Sequence, residues 1–111
     1  MTRKEFYQMK DKFISINVFR HVITANGGSY DYSTQENFLN VLKRVEELEL
    51  GINGIEVWKN GEFFDVQTSN SKKQAYDPSW YYSIYFNFCA LNEDLEFLAT
   101  YDVPIDRLDR N

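Results

Sequence analysis

Two side chains in this sequence of 111 residues have the chemistry of a nucleophile and its base, Cys89 and His21, and each residue type occurs once. Such a pair works only with the imidazole within hydrogen-bonding reach of the thiol. His21 falls on a predicted N-terminal helix, where it faces solvent or satisfies a polar contact. Cys89 falls among large aromatic neighbours, where a free thiol behaves as a small buried hydrophobe. No spacing brings the two together, so the chain is read as a non-enzyme. The same counts exclude an intramolecular disulfide, a thiolate zinc cage and a multi-histidine metal site, and they suit a reducing cytosol.

Carboxylates are more abundant and form two clusters, Glu46, Glu47 and Glu49 in one, Glu93, Asp94 and Glu96 in the other. Neither has the alternating Asp/Asn pattern around a central glycine that a calcium loop needs. They read as solvated acidic faces, and no cofactor or metal is expected. Ala25-Asn26-Gly27-Gly28-Ser29 lacks the lysine and the full glycine spacing of a phosphate loop, so a helix stop and turn explain it better. The densest feature is aromatic. Tyr76, Trp80, Tyr81, Tyr82, Tyr85, Phe86 and Phe88 fall within thirteen residues.

Charge says what such a surface could meet. Seventeen acidic against twelve basic residues give a net charge of −5. Residues 1–44 carry seven basic and four acidic side chains, for +3, and residues 45–111 carry five and thirteen, for −8. The aromatic stretch thus belongs to the acidic half. Sheet-surface aromatics can stack single-stranded bases, but this charge would repel a phosphate backbone and attract a basic partner. Direct nucleic-acid binding is not expected.

The elements that must position these residues follow from period and caps. Length fits one domain over residues 1–111, and 43% hydrophobic residues suffice for a core. Thr2-Arg3-Lys4-Glu5 has capping-box form, and Phe6, Met9, Phe13, Ile16 and Ile23 share a helical stripe that Asn26-Gly27-Gly28 would end. The β-branched residues of 13–24 also allow a strand, which would need a bulge at Val18-Phe19; the helix is favoured. Ser33-Thr34-Gln35-Glu36 opens a second helix through Phe38, Leu42, Val45 and Leu48, with Gly51 as its C-terminal cap.

From Ile55 the period becomes two. Ile55, Val57, Phe63 and Asp65 flank Asn60-Gly61, the dipeptide a type I′ hairpin turn requires. After a polar loop from Thr68 to Pro78, Trp80, Tyr82, Ile84, Phe86, Phe88 and Ala90 alternate with Tyr81, Ser83, Tyr85, Asn87, Cys89 and Leu91, which predicts a third strand. Asn92-Glu93-Asp94 is then a turn, and Leu95, Phe97, Ala99, Tyr101 and Val103 form a fourth strand ended by Pro104. The expectation is an α+β fold with two N-terminal helices packed on one face of a four-stranded antiparallel sheet. The window from Trp80 to Leu91 is too short and polar to span a bilayer, and no signal segment is visible, so a cytoplasmic protein without membrane association is expected.

In that arrangement Trp80, Tyr82, Ile84, Phe86 and Phe88 face the helices, while Tyr81 and Tyr85 stand on the outer sheet face. Tyr on an exposed strand gives contact area at low entropy cost. In size, acidity and the stretch Tyr76–Phe88 the chain resembles bacterial toxin-immunity proteins, the small acidic partners of contact-dependent and colicin-like toxins. Phage-encoded inhibitors of nucleic-acid-guided nucleases share that character. The resemblance implies an inhibitor of a basic nuclease toxin domain and carries over no residue roles. The residues expected on the partner-facing surface are Glu56, Glu62, Asp65, Tyr81, Tyr85, Glu93, Asp94 and Glu96. Two other classes stay open: a ligand-binding or catalytic pocket between helices and sheet, lined by Phe38, Trp58, Trp80 and Tyr82, and a homodimer or other homo-oligomer joined through Tyr81 and Tyr85.

Overall fold

A computed structural model describes residues 2–22 and 33–108. Helix α1 spans Arg3–Ile14 and is capped as expected, with Thr2 Oγ1 accepting from the Glu5 N–H at 3.1 Å. It passes into a π-helical turn, Ser15–Phe19, and a last α-turn, α2, Arg20–Val22. Residues 13–22 are therefore helical, which decides between helix and strand for that stretch. The wide turn rotates the apolar stripe, so Ile14 and Val18 are the buried residues, with Phe6, Met9, Phe13 and Phe19 packed at the margin. Asn17 donates its side-chain amide to the Phe13 carbonyl, and Arg44 Nε donates to the Asn17 carbonyl at 2.8 Å. The expected stop at Asn26-Gly27-Gly28 and the loop Ala25–Tyr32 lie outside the described residues.

The short strand β1, Ser33–Thr34, leads into α3, Gln35–Glu47. The cap is Thr34, one residue later than expected, and it accepts from the Asn37 N–H at 3.3 Å. Phe38, Val41, Leu42 and Val45 are buried along one stripe. Gly51 is not the C-terminal cap. Glu49 takes the left-handed conformation there, at φ 57°, and Gly51 already opens strand β2, Gly51–Lys59. Strand β3, Glu62–Thr68, returns through Asn60 and Gly61 at φ 53° and 80°, the paired positive values of the expected hairpin turn.

The Thr68–Pro78 segment contains one helical turn, α4, Lys72–Ala75. The chain then forms α5, Pro78–Cys89, where the sequence reading placed a strand. Asp77 caps it, accepting from the Ser79 N–H at 3.0 Å, and Pro78 occupies the first turn, where its missing N–H costs nothing. Strand β4, Glu96–Asp102, and the turn α6, Ile105–Leu108, complete the chain.

The fold is α+β, but the four-stranded meander is overturned. Three long strands carry the sheet, and the fourth member is only the two-residue β1, in the order β1-β4-β2-β3, all antiparallel. The helices on its inner face are α3 and α5, not the two N-terminal ones alone. Phe38 of α3 stacks on Phe97 of β4 at 5.0 Å between centroids, and Tyr85 of α5 meets both rings. Ile55, Val57, Leu42, Val45 and Tyr81 fill the rest of that layer. Among the described residues no helix is long and apolar enough to cross a membrane.

Candidate functional site: the outer sheet face

Cross-strand partners lie on the same face of a sheet, so the register sorts every strand residue. Val57 is opposite Phe97 and Asp65, and Ile55 is opposite Ala99 and Gln67; these define the inner, helix-covered face. The outer face has three rows. Glu96, Trp58 and Phe63 form the first, Leu98, Glu56 and Val66 the second, Thr100, Gly54 and Thr68 the third. No lysine or arginine stands in any of them. Phe63 is 55% and Val66 42% exposed, and the Trp58 and Phe63 rings meet edge to face at 5.8 Å. The outer face is thus an apolar strip interrupted by two carboxylates, the composition of a protein-contact surface.

The first row runs into a cleft of about 530 Å³. Glu36, Asp94 and Glu96 line it together with Asn60 of the hairpin turn. Its three carboxylates come from α3, the turn after α5, and β4. Such a cleft favours an ammonium or guanidinium group, although no His, Cys, Asp or Glu cluster among the described residues has the geometry of a metal site.

The expected interface residues divide into four groups. Glu56, Glu96 and Asp94 gather on the outer face and its cleft. Glu62 is exposed and Asp65 partly exposed on the outermost strand, where Asp65 Oδ1 accepts from the Val66 N–H at 2.7 Å. Glu93 is held by Lys59 at 2.6 Å, so its charge is already answered within the chain. Tyr81 and Tyr85 require correction. They are 0% and 5% exposed, because α5 turns them inward where a strand would have turned them out. Burial is the first cause that raises both phenol pKa values. Tyr85 donates to the Gln35 carbonyl at 2.7 Å, whereas the Tyr81 hydroxyl has no partner among the described residues. The residues expected inside are partly outside: Phe86 is 56% exposed. Tyr82 lies at the margin and donates to Glu46, its pKa pushed up to about 12 by burial first and then by that carboxylate.

Sequence reasoning missed Trp58, Phe63, Val66, Leu98 and Glu36 as surface candidates. The alternation around Asn60-Gly61 could have found Trp58 and, across the turn, Phe63, since Glu56 and Trp58 are two apart and must share a face; Val66 joins them only through the register shift opposite Val57 and Trp58. The pocket expected from Phe38, Trp58, Trp80 and Tyr82 does not assemble: Phe38 is packed at the inner face and Trp58 stands on the outer one. Cys89 ends α5, half-buried against the core. No protein-family model matches this chain, and comparison with curated proteins and with solved structures also finds no match.

Proposed function

We propose that the chain is a small acidic protein-binding inhibitor of the bacterial toxin-immunity kind, acting in the cytosol on a basic nuclease toxin domain. The observation that carries this reading is the outer sheet face. Trp58, Phe63, Leu98 and Val66 offer apolar anchors there, Glu56 and Glu96 stand among them, and these paired rows hold no lysine or arginine. Aromatic anchors supply affinity, and unpaired carboxylates supply steering toward a positive groove. A lysine or arginine of the partner fits the Glu36–Asp94–Glu96 cleft. Covering the nuclease groove is the simplest mechanism; docking beside it uses the same surface.

The test is affinity capture from the native host with the wild-type chain and with Glu56→Lys/Glu96→Lys, washed at low and high salt. The expected result is one basic protein, retained by the wild type at low salt, weakened at high salt and lost from the variant. Its nuclease activity and toxicity should then fall when the wild-type chain is added or co-expressed. Capture that ignores both salt and the variant, or a captured protein whose activity is unchanged, overturns the reading.

A further inference from the structure

Resting on that reading, we infer that the free edge of β3 is a second part of the interface and accepts an extended, lysine- or arginine-rich segment of the partner as an added strand. β3 is the outermost strand, so among the described residues only its β2 side is paired. It is seven residues long, and Phe63, Phe64 and Val66 are 55%, 40% and 42% exposed. Edges of this kind are normally blunted by lysine, proline or a covering element, because their free N–H and C=O groups are a template for pairing. Residues 62–68 contain no lysine, arginine or proline. Among the described residues its protection is a register irregularity opposite Val57 and Trp58, the Asp65 carboxylate folded onto its neighbour's N–H, and the Phe88 ring of α5 against Phe64.

Charge selects the occupant. Glu62 and Asp65 lie on the strand and Glu56 on the next one, so a second copy would bring carboxylates against carboxylates. Antiparallel self-pairing about the strand centre sets Asp65 opposite Asp65, which is destabilising. A basic strand removes that conflict. Its side chains would alternate between Phe63 and Val66 on the outer face and Asp65 and Gln67 on the inner one. Strand addition takes affinity from main-chain hydrogen bonds and specificity from such alternate side chains.

The edge can be tested with a defined probe. A peptide of about ten alternating lysine and valine residues, long enough to match one strand, is titrated into isotope-labelled protein, with a glutamate-for-lysine peptide as control. Shift changes and slowed amide exchange are expected over Glu62–Thr68, with the control about tenfold weaker or worse and with binding lowered by salt. Glu62→Lys/Asp65→Lys, at an exposed and a partly exposed position and with the fold checked by circular dichroism, should reverse the preference between the peptides. Equal response to both peptides, or no protection of β3, overturns the inference. So does a dimer whose β3 amides are protected without peptide, since a second copy then holds the edge. The two proposals separate in the captured complex: an exposed β3 beside a contacted Trp58 removes the edge and leaves the inhibitor. Edge protection by the peptide with no basic protein captured does the reverse.

Discussion

The Tyr85 hydroxyl donates to the carbonyl of Gln35 at 2.7 Å, and so ties the middle of α5 to the first residue of α3 across the inner layer. Tyr81, one turn earlier, is equally buried but has no hydrogen-bond partner among the described residues. The two phenols should therefore respond oppositely to loss of oxygen. Tyr85→Phe removes that hydrogen bond and should destabilise by about 1 kcal/mol, whereas Tyr81→Phe removes an unpaired buried hydroxyl and should stabilise by about 1 kcal/mol. Urea denaturation of the two variants beside the wild type measures both. Equal losses would mean that Tyr81 is satisfied.

A shared alkaline limit follows from the same layer. Burial is the leading cause raising the pKa of Tyr76, Tyr81, Tyr85 and Tyr101 from 10.0, and Tyr82 is pushed up to about 12. Below pH 10 native and unfolded chains both carry neutral phenols, and the stability from this source is complete. Above it the unfolded chain loses protons that the native chain keeps, so stability falls as pH rises. Thermal midpoints should be flat in this respect up to about pH 9.5 and drop steeply beyond. Phenolate absorbance from these five side chains should appear together with unfolding. Early ionisation of these five tyrosines in a folded chain would contradict the burial.

Gly51 is required by proximity. A Cβ there would stand 2.9 Å and 3.1 Å from Tyr76 ring carbons and 3.2 Å from Asp102 Cβ. The ring cannot swing away freely, because Tyr76 donates to Asp102 Oδ2 at 2.6 Å. Gly51→Ala should cost about 1–3 kcal/mol through forced displacement. Gly51→Ala/Tyr76→Ala should recover part of that loss relative to Tyr76→Ala alone, and denaturant midpoints for the cycle give the coupling directly.

The hairpin and the last strand were legible because their signals are exclusive. Asn60-Gly61 suits two consecutive positive φ values, and Phe97 and Tyr101 are buried on β4, with Leu95 and Val103 buried just beyond its two ends. Residues 78–89 were not, because their signals are shared by both periods. Ser79, Ser83 and Asn87 are exposed and recur every four residues, a spacing that is both one helical turn and two strand steps. With aromatic residues nearly everywhere else, alternation could be drawn through either face. The deciding signal was Asp77-Pro78, a cap followed by proline at the first helical position. Within a polar loop that signal is hidden, and the helix inverts the surface: Tyr81 and Tyr85 turn in, Phe86 turns out, and Phe63 stands exposed beside Trp58 on the outer sheet face.

That inversion gives the sharpest functional prediction, because the outer face and the buried tyrosines can be altered separately. Phe63→Ser and Glu56→Lys change exposed or partly exposed groups, and each should shift stability by less than about 0.5 kcal/mol. Their effects on the partner should differ in kind. Glu56→Lys reverses a steering charge, so it should slow association and flatten the dependence of that rate on salt. Phe63→Ser removes apolar contact without altering charge, so it should speed dissociation and leave the salt dependence unchanged. Tyr81→Phe should do neither. Surface plasmon resonance at several ionic strengths separates the three. A partner whose kinetics respond to Tyr81→Phe but not to Glu56→Lys would move the interface away from the outer sheet face.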